Sequence, residues 1–77
     1  MENIKDKASR YRNLSKDETF RELIENVAND QVAVFLNPES SVDAIDDARA
    51  IVLALKNIDR TIQRILDEEA IYDKHNS

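Results

Sequence analysis

The stretch "DARAIVLALKNIDRTIQRILDEEAIY", residues 47–72, holds neither glycine nor proline and returns to an apolar side chain at least every third or fourth position. A period near 3.6 residues marks one face of an amphipathic helix. With Ala48 at heptad position a, Leu55 and Ile62 recur at a, and Ala44, Ile51, Ile58, Ile65 and Tyr72 fall at d. Glu69 is the single polar intruder in that seam, and Ile45, Val52 and Leu66 form a flanking stripe broken by Asp59. Ala50, Leu53 and Ala54 add apolar surface on other faces of the first half. The spacing predicts a long helix over about 41–73 with a frayed tail at 74–77.

Upstream lies "NPESS", the one strong turn, in which the ring of Pro38 disfavours helical geometry at Asn37. Either Ser40 with Asp43 or Ser41 alone caps the long helix, and Asp43, Asp46 and Asp47 suit the positive end of its dipole. A turn over 37–40 makes the flanking helices antiparallel neighbours. Phe20, Leu23, Ile24, Val27, Ala28 and Gln31 to Val34 hold a helical period over about 16–36, ending in the all-round apolar Val32–Leu36, which is expected to be enclosed. Ser15 and Glu18 have the spacing of a capping box for this helix. Ile4, Ala8 and Tyr11 mark a shorter helix over about 2–13.

One small domain, 1–77, is the upper bound for such a chain. A core of this size supplies only about 3–5 kcal/mol, so small domains usually carry a staple. With no cysteine and a single histidine, His75, disulfides, thiolate sites and His-rich metal sites are removed. Oligomerisation is the staple left. No glycine occurs, which argues against phosphate-binding glycine loops, nucleophile elbows and type I′ hairpins, and leaves an all-α chain. The longest apolar run, Ala50–Leu55, falls far short of the roughly 20 residues that cross a bilayer, and the polar first fifteen residues do not resemble a signal peptide. A cytoplasmic protein is expected.

Charge is uneven along the chain. Residues 1–16 set Lys5, Lys7, Arg10, Arg12 and Lys16 against Glu2 and Asp6, a net of +3, which leaves −8 for the other 61 within the total of −5. An acidic bulk opposes nucleic-acid backbones. Lengths explain the asymmetry. The long helix spans about 50 Å and the middle one about 32 Å, so a hairpin leaves the seam beyond about Ile62 bare. The short helix is expected to cover it, placing Ile4, Ala8 and Tyr11 against Ile62, Ile65, Leu66 and Tyr72. Lys5, Lys7, Arg10 and Arg12 then lie beside Asp67, Glu68, Glu69 and Asp73. One face of residues 44–55 still stays open, and a second copy is expected there, with Ala48, Ile51, Leu55, Ile58, Ile62 and Ile65 as the self-association residues.

Candidate sites are few. The acids Asp43, Asp46 and Asp47 suit a hard cation, but acids in a first helical turn also serve the dipole. Glu22-x-x-Glu25 with Asp43-x-x-Asp46 echoes the paired acids of magnesium-dependent all-α nucleotide pyrophosphatases, although the glutamates lie off the apolar stripe. Arg60 and Arg64, one turn apart, can grip a phosphate or a partner's carboxylate, and Arg64–Glu68 is a candidate i,i+4 ion pair. Tyr11 and Arg12 in "KDKASRYR" can meet a base or a phosphate, or pair with the acidic end of the long helix. No Ser-His-Asp, Cys-His or paired-carboxylate acid/base set can be built, so no catalytic, metal or cofactor residues are expected.

Around "VFLNPESSVDAIDDARAIVLALKNI" the chain resembles small acidic all-helical accessory proteins encoded by bacteriophages. "YRNLSKDE", Tyr11–Glu18, is similar to the opening of small helical phage proteins that sequester cyclic oligonucleotide signals of host defence. That resemblance implies ligand contacts at Tyr11 and Arg12. The expectation is an all-α antiparallel hairpin with a short extra N-terminal helix, self-associating. Its expected role is non-enzymatic protein–protein interaction, in virion assembly or as an acidic inhibitor of a host protein. Oligomeric sequestration of a small cyclic nucleotide is the alternative, and a magnesium-dependent nucleotide pyrophosphatase a distant third. Itself and another protein are the expected partners, without membrane or nucleic acid.

Overall fold

The computed structural model describes residues 2–76. They form three helices, α1 (Ile4–Lys16), α2 (Glu18–Leu36) and α3 (Val42–Asn76), with no strand among the described residues. The fold is the expected all-α one, with α1 and α2 both packed on α3. α3 is continuous through Asn57 and on to Asn76, so Lys74–Asn76, expected to fray, are helical; Ser77 lies outside the described residues. Its 35 residues would run about 52 Å at about 1.5 Å each, and the molecule measures 57 × 22 × 20 Å. α3 is therefore the long axis, and the two shorter helices are laid along it in turn.

The junction between those two differs from the expected capping box. Helix α1 runs through Ser15 to Lys16, and the Ser15 hydroxyl donates to the carbonyl of Arg12 at 2.7 Å. The cap is Asp17, extended at φ −68° and ψ 123°, whose carboxylate accepts from the Phe20 amide at 2.8 Å. Its own amide donates back to the carbonyl of Leu14 at 3.1 Å, closing α1. One residue thus ends one helix and starts the next. Aspartate caps about as well as serine and adds a charge that suits the positive helix end, and the extended backbone at Asp17 puts the cap there.

The other caps are local. Asn3 accepts from Asp6 at 2.9 Å, and Ser41 accepts from Ala44 at 3.1 Å. Ser40, the other candidate cap, instead donates its hydroxyl to the carbonyl of Val34 at 2.7 Å and ties the turn to the end of α2.

Little of the apolar surface is enclosed. Among the described residues only Ala8, Ala48, Ile62 and Ile65 are buried apolar side chains, and two of these are alanines. Gln31, also buried, donates to the carbonyl of Val27 and so spends its amide within α2. The segment Val32–Leu36 is not enclosed: Val32, Phe35 and Leu36 are exposed, because α3 covers only one side of α2. Total accessible surface is 6201 Å², against about 4,800 Å² for a compact monomer of this mass. The radius of gyration, 16.8 Å, exceeds the roughly 11.5 Å of a compact domain of equal length.

Candidate functional site

The C-terminal half of α3 carries α1 by two kinds of contact. Ala8 is fully buried and Ile65 is 2% exposed, forming the apolar seam between the two helices. Above it Arg12 is paired with Glu69, and Lys5 meets Asp73 at 2.5 Å. That hydrogen bond, partly opposed by desolvation, raises the Lys5 pKa above its ordinary 10.5. The basic N-terminal segment thus faces the acidic end of α3, with Lys5 and Arg12 in ion pairs across the contact. Arg10 turns back to Glu2, with contacts of 2.5 and 2.6 Å that hold its guanidinium even more firmly protonated.

Arg12 is paired with Glu69, whose carboxylate is largely covered, while the arginine side chain itself keeps 40% exposure. Tyr11, half-buried one residue earlier, is placed differently. It lines a groove of about 350 Å³ with Leu14, Phe20, Ala54, Asn57, Ile58, Thr61 and Ile62. The groove forms where α1 ends and α2 departs along another side of α3.

Beside the groove, Asn57 and Thr61 also border a shallow hollow with Arg60 and Arg64. Both arginines are exposed, and neither pairs with an acid among the described residues. The expected Arg64–Glu68 bridge is absent. With the cation N-terminal to the acid, that i,i+4 pair has the less favourable orientation on a helix. Tyr11, Arg60 and Arg64 thus gather around one stretch of α3, while Arg12 lies apart, paired with Glu69. Asn57 and Thr61, which join the groove to the arginines, carry no motif that marks them in the sequence, though both lie one helical turn from Arg60 or Arg64.

A larger cavity of about 510 Å³ lies between α2 and α3 and shares Phe20 and Ile62 with the groove; Ser15, Arg21, Glu25, Asp59 and Gln63 line it over Ile24 and Leu66. Its mixed charges give it no single ligand chemistry. Among the described residues no group of three or more His, Cys, Asp or Glu is placed to hold a metal ion. Asp43, Asp46, Glu22 and Glu25 are all exposed, and the paired acids do not converge on such a centre. No described helix is long and apolar enough to cross a membrane.

The six expected self-association residues divide. Ala48, Ile62 and Ile65 are buried inside the chain and Leu55 is half-buried, which leaves Ile51 at 39% and Ile58 at 38% exposure to reach outward. The cause is rotational: α1 and α2 lie at different angles around α3, so each covers only part of a heptad seam. Ala50, Ala54 and Leu14 extend the exposed strip between them. No family model matches the chain, and neither a curated protein nor a solved structure is significantly similar to it.

Proposed function

We propose that the protein is a non-enzymatic helical interaction module that works as an assembly of its own copies. The observation carrying this is the exposed strip Ile51–Ala54–Ile58 on a chain with only four buried apolar residues among those described. The surface in excess of a compact monomer is about 1,400 Å², whereas one side of a standard interface takes about 800 Å². Rigid acidic helices on the outside suit a basic protein partner, in particle assembly or as an inhibitor of a host factor, and a cytoplasmic setting fits the absence of cysteine. Sedimentation across micromolar concentrations tests the reading, with a dimer or larger species expected. A compact monomer of about 9 kDa throughout refutes it.

A second reading, sequestration of a small cyclic nucleotide at the assembly, is favoured by one specific feature. The groove beside Tyr11 adjoins Arg60 and Arg64, so an apolar slot for a flat base meets cations for a phosphate. The resemblance of Tyr11–Glu18 to nucleotide-sequestering phage proteins falls on the same groove. Native mass spectrometry reads both the copy number and any retained ligand. Calorimetry with cyclic nucleotides should show binding lost in Tyr11→Ala and Arg64→Ala if sequestration is the role. Binding lost in Glu22→Gln instead points to the pyrophosphatase.

A further inference from the structure

The first turns of α3 carry three exposed acids, Asp43, Asp46 and Asp47, none paired among the described residues. Some four turns on, the exposed Arg60 and Arg64 are equally without acids. Asp46 and Arg64 lie 18 residues apart, which is five turns, so they project on one line along α3. About 27 Å of helix separates them, and they cannot meet within one chain.

We propose that two copies pair through antiparallel α3 helices crossing at Ala54, with each copy's Arg64 facing the other's Asp43 and Asp46. This rests on the self-association reading above and adds its partner face, orientation and register. The charges locate the crossing. Midpoints of Arg64–Asp46 and Arg64–Asp43 both fall between residues 53 and 55. At that midpoint the exposed strip has its small residues, Ala50 and Ala54, which let two helix backbones approach to about 8 Å.

The same two-fold places Ile58 of each copy beside Ile51 of the other, on the edge that borders Leu14 and the Tyr11 groove. Exposed apolar residues are thereby covered together, and the charges sit on the solvent edge. Parallel pairing in register would instead stack Asp43 on Asp43, Asp46 on Asp46 and Arg64 on Arg64. Like charges at such spacing repel, so the pattern selects against that arrangement.

The chain has no cysteine, so single cysteines report the geometry without background. Ala54→Cys is expected to oxidise to a covalent dimer, while Arg49→Cys, off the contact face, stays monomeric on reducing-free gels. Ala50→Cys and Ile58→Cys are expected to cross-link several-fold more when mixed than either does alone. Arg64→Glu should weaken association several-fold, and an equimolar mixture with Asp43→Lys, Asp46→Lys should restore it. A dimer by sedimentation that fails to cross-link through Ala54→Cys, or that cross-links equally at all matched positions, overturns this register and leaves self-association standing. A dimer indifferent to the charge reversals overturns it likewise. A monomer by sedimentation overturns both.

Discussion

Ile58 and Ile65 occupy the same heptad position one repeat apart, yet the structure gives them opposite surroundings. Ile65 is 2% exposed beneath α1, and Ile58 is 38% exposed beside the groove. Truncating a buried isoleucine to alanine costs about 2–5 kcal/mol through lost transfer energy and the cavity left behind. Against the roughly 3–5 kcal/mol a core this size supplies, Ile65→Ala should melt at least about 8 °C lower or fail to fold, at about 4–8 °C per kcal/mol. That loss lies within one chain, so it should not vary with protein concentration.

Ile58→Ala differs in kind. With over a third of the side chain in water, roughly 1 kcal/mol of burial per copy is still to be gained at an interface. Its effect should therefore appear as a weaker assembly, with a melting deficit that depends on concentration. Circular dichroism melts of the two variants at about 5 and 200 μM decide the matter. If Ile65→Ala melts like the parent, α1 does not pack on α3 as described. If the Ile58→Ala deficit is independent of concentration, Ile58 belongs to the core and the exposed strip is not an interface.

Three further outcomes follow from local geometry. Asp17→Ala should cost about 0.5–2 kcal/mol of stability by urea denaturation, because it removes the α2 cap, while Ser15→Ala should change stability much less. Arg12→Ala strands the Glu69 carboxylate, 14% exposed, so α1 amides should exchange faster, and Glu69→Gln added to it should recover part of the loss. Folding raises the Lys5 pKa, so its contribution is complete below the ordinary 10.5 and fades as pH climbs through the raised value. The melting gap between the parent and Lys5→Gln should accordingly be open at about pH 9 and closed by about pH 12.

The helical class was legible because period and composition agree: 47–72 repeats at 3.6 residues, and a chain without glycine leaves few alternatives. The placing of α1 against the end of α3 was legible too, through length and charge, with Ala8 and Ile65 buried and Lys5 and Arg12 meeting Asp73 and Glu69. The junction was misread since Ser15–Glu18 and Asp17–Phe20 both satisfy cap spacing, and only the extended backbone of Asp17 separates them. The division of the seam was hidden for a different reason. A heptad register describes one face of α3, whereas α1 and α2 approach along two, so Ala48 and Ile65 are covered while Ile51 and Ile58 are not. The meeting of Tyr11 with Asn57 and Thr61 is a consequence of that same divergence, and no motif spells it.

The groove and the strip share Ala54 and Ile58, so a ligand and a second copy cannot act independently there. If a partner's Asp46 pairs with Arg64, a ligand phosphate must displace it, and reciprocity of linkage then requires that ligand binding loosen the assembly. If instead the partner leaves the arginines open and walls only the Tyr11 side, the ligand binds the assembled form better. It then stabilises that form by RT ln(1 + [L]/Kd), about 2.7 kcal/mol at a hundredfold excess over Kd, which is roughly a hundredfold in association constant. The signs are opposite, and a sedimentation titration with a cyclic dinucleotide reads them directly. The antiparallel charge pairing predicts dissociation on saturation, abolished when Arg64→Ala removes the contested cation. Tighter assembly on saturation would show that Arg64 faces the ligand rather than the partner's acids, and would refute that pairing.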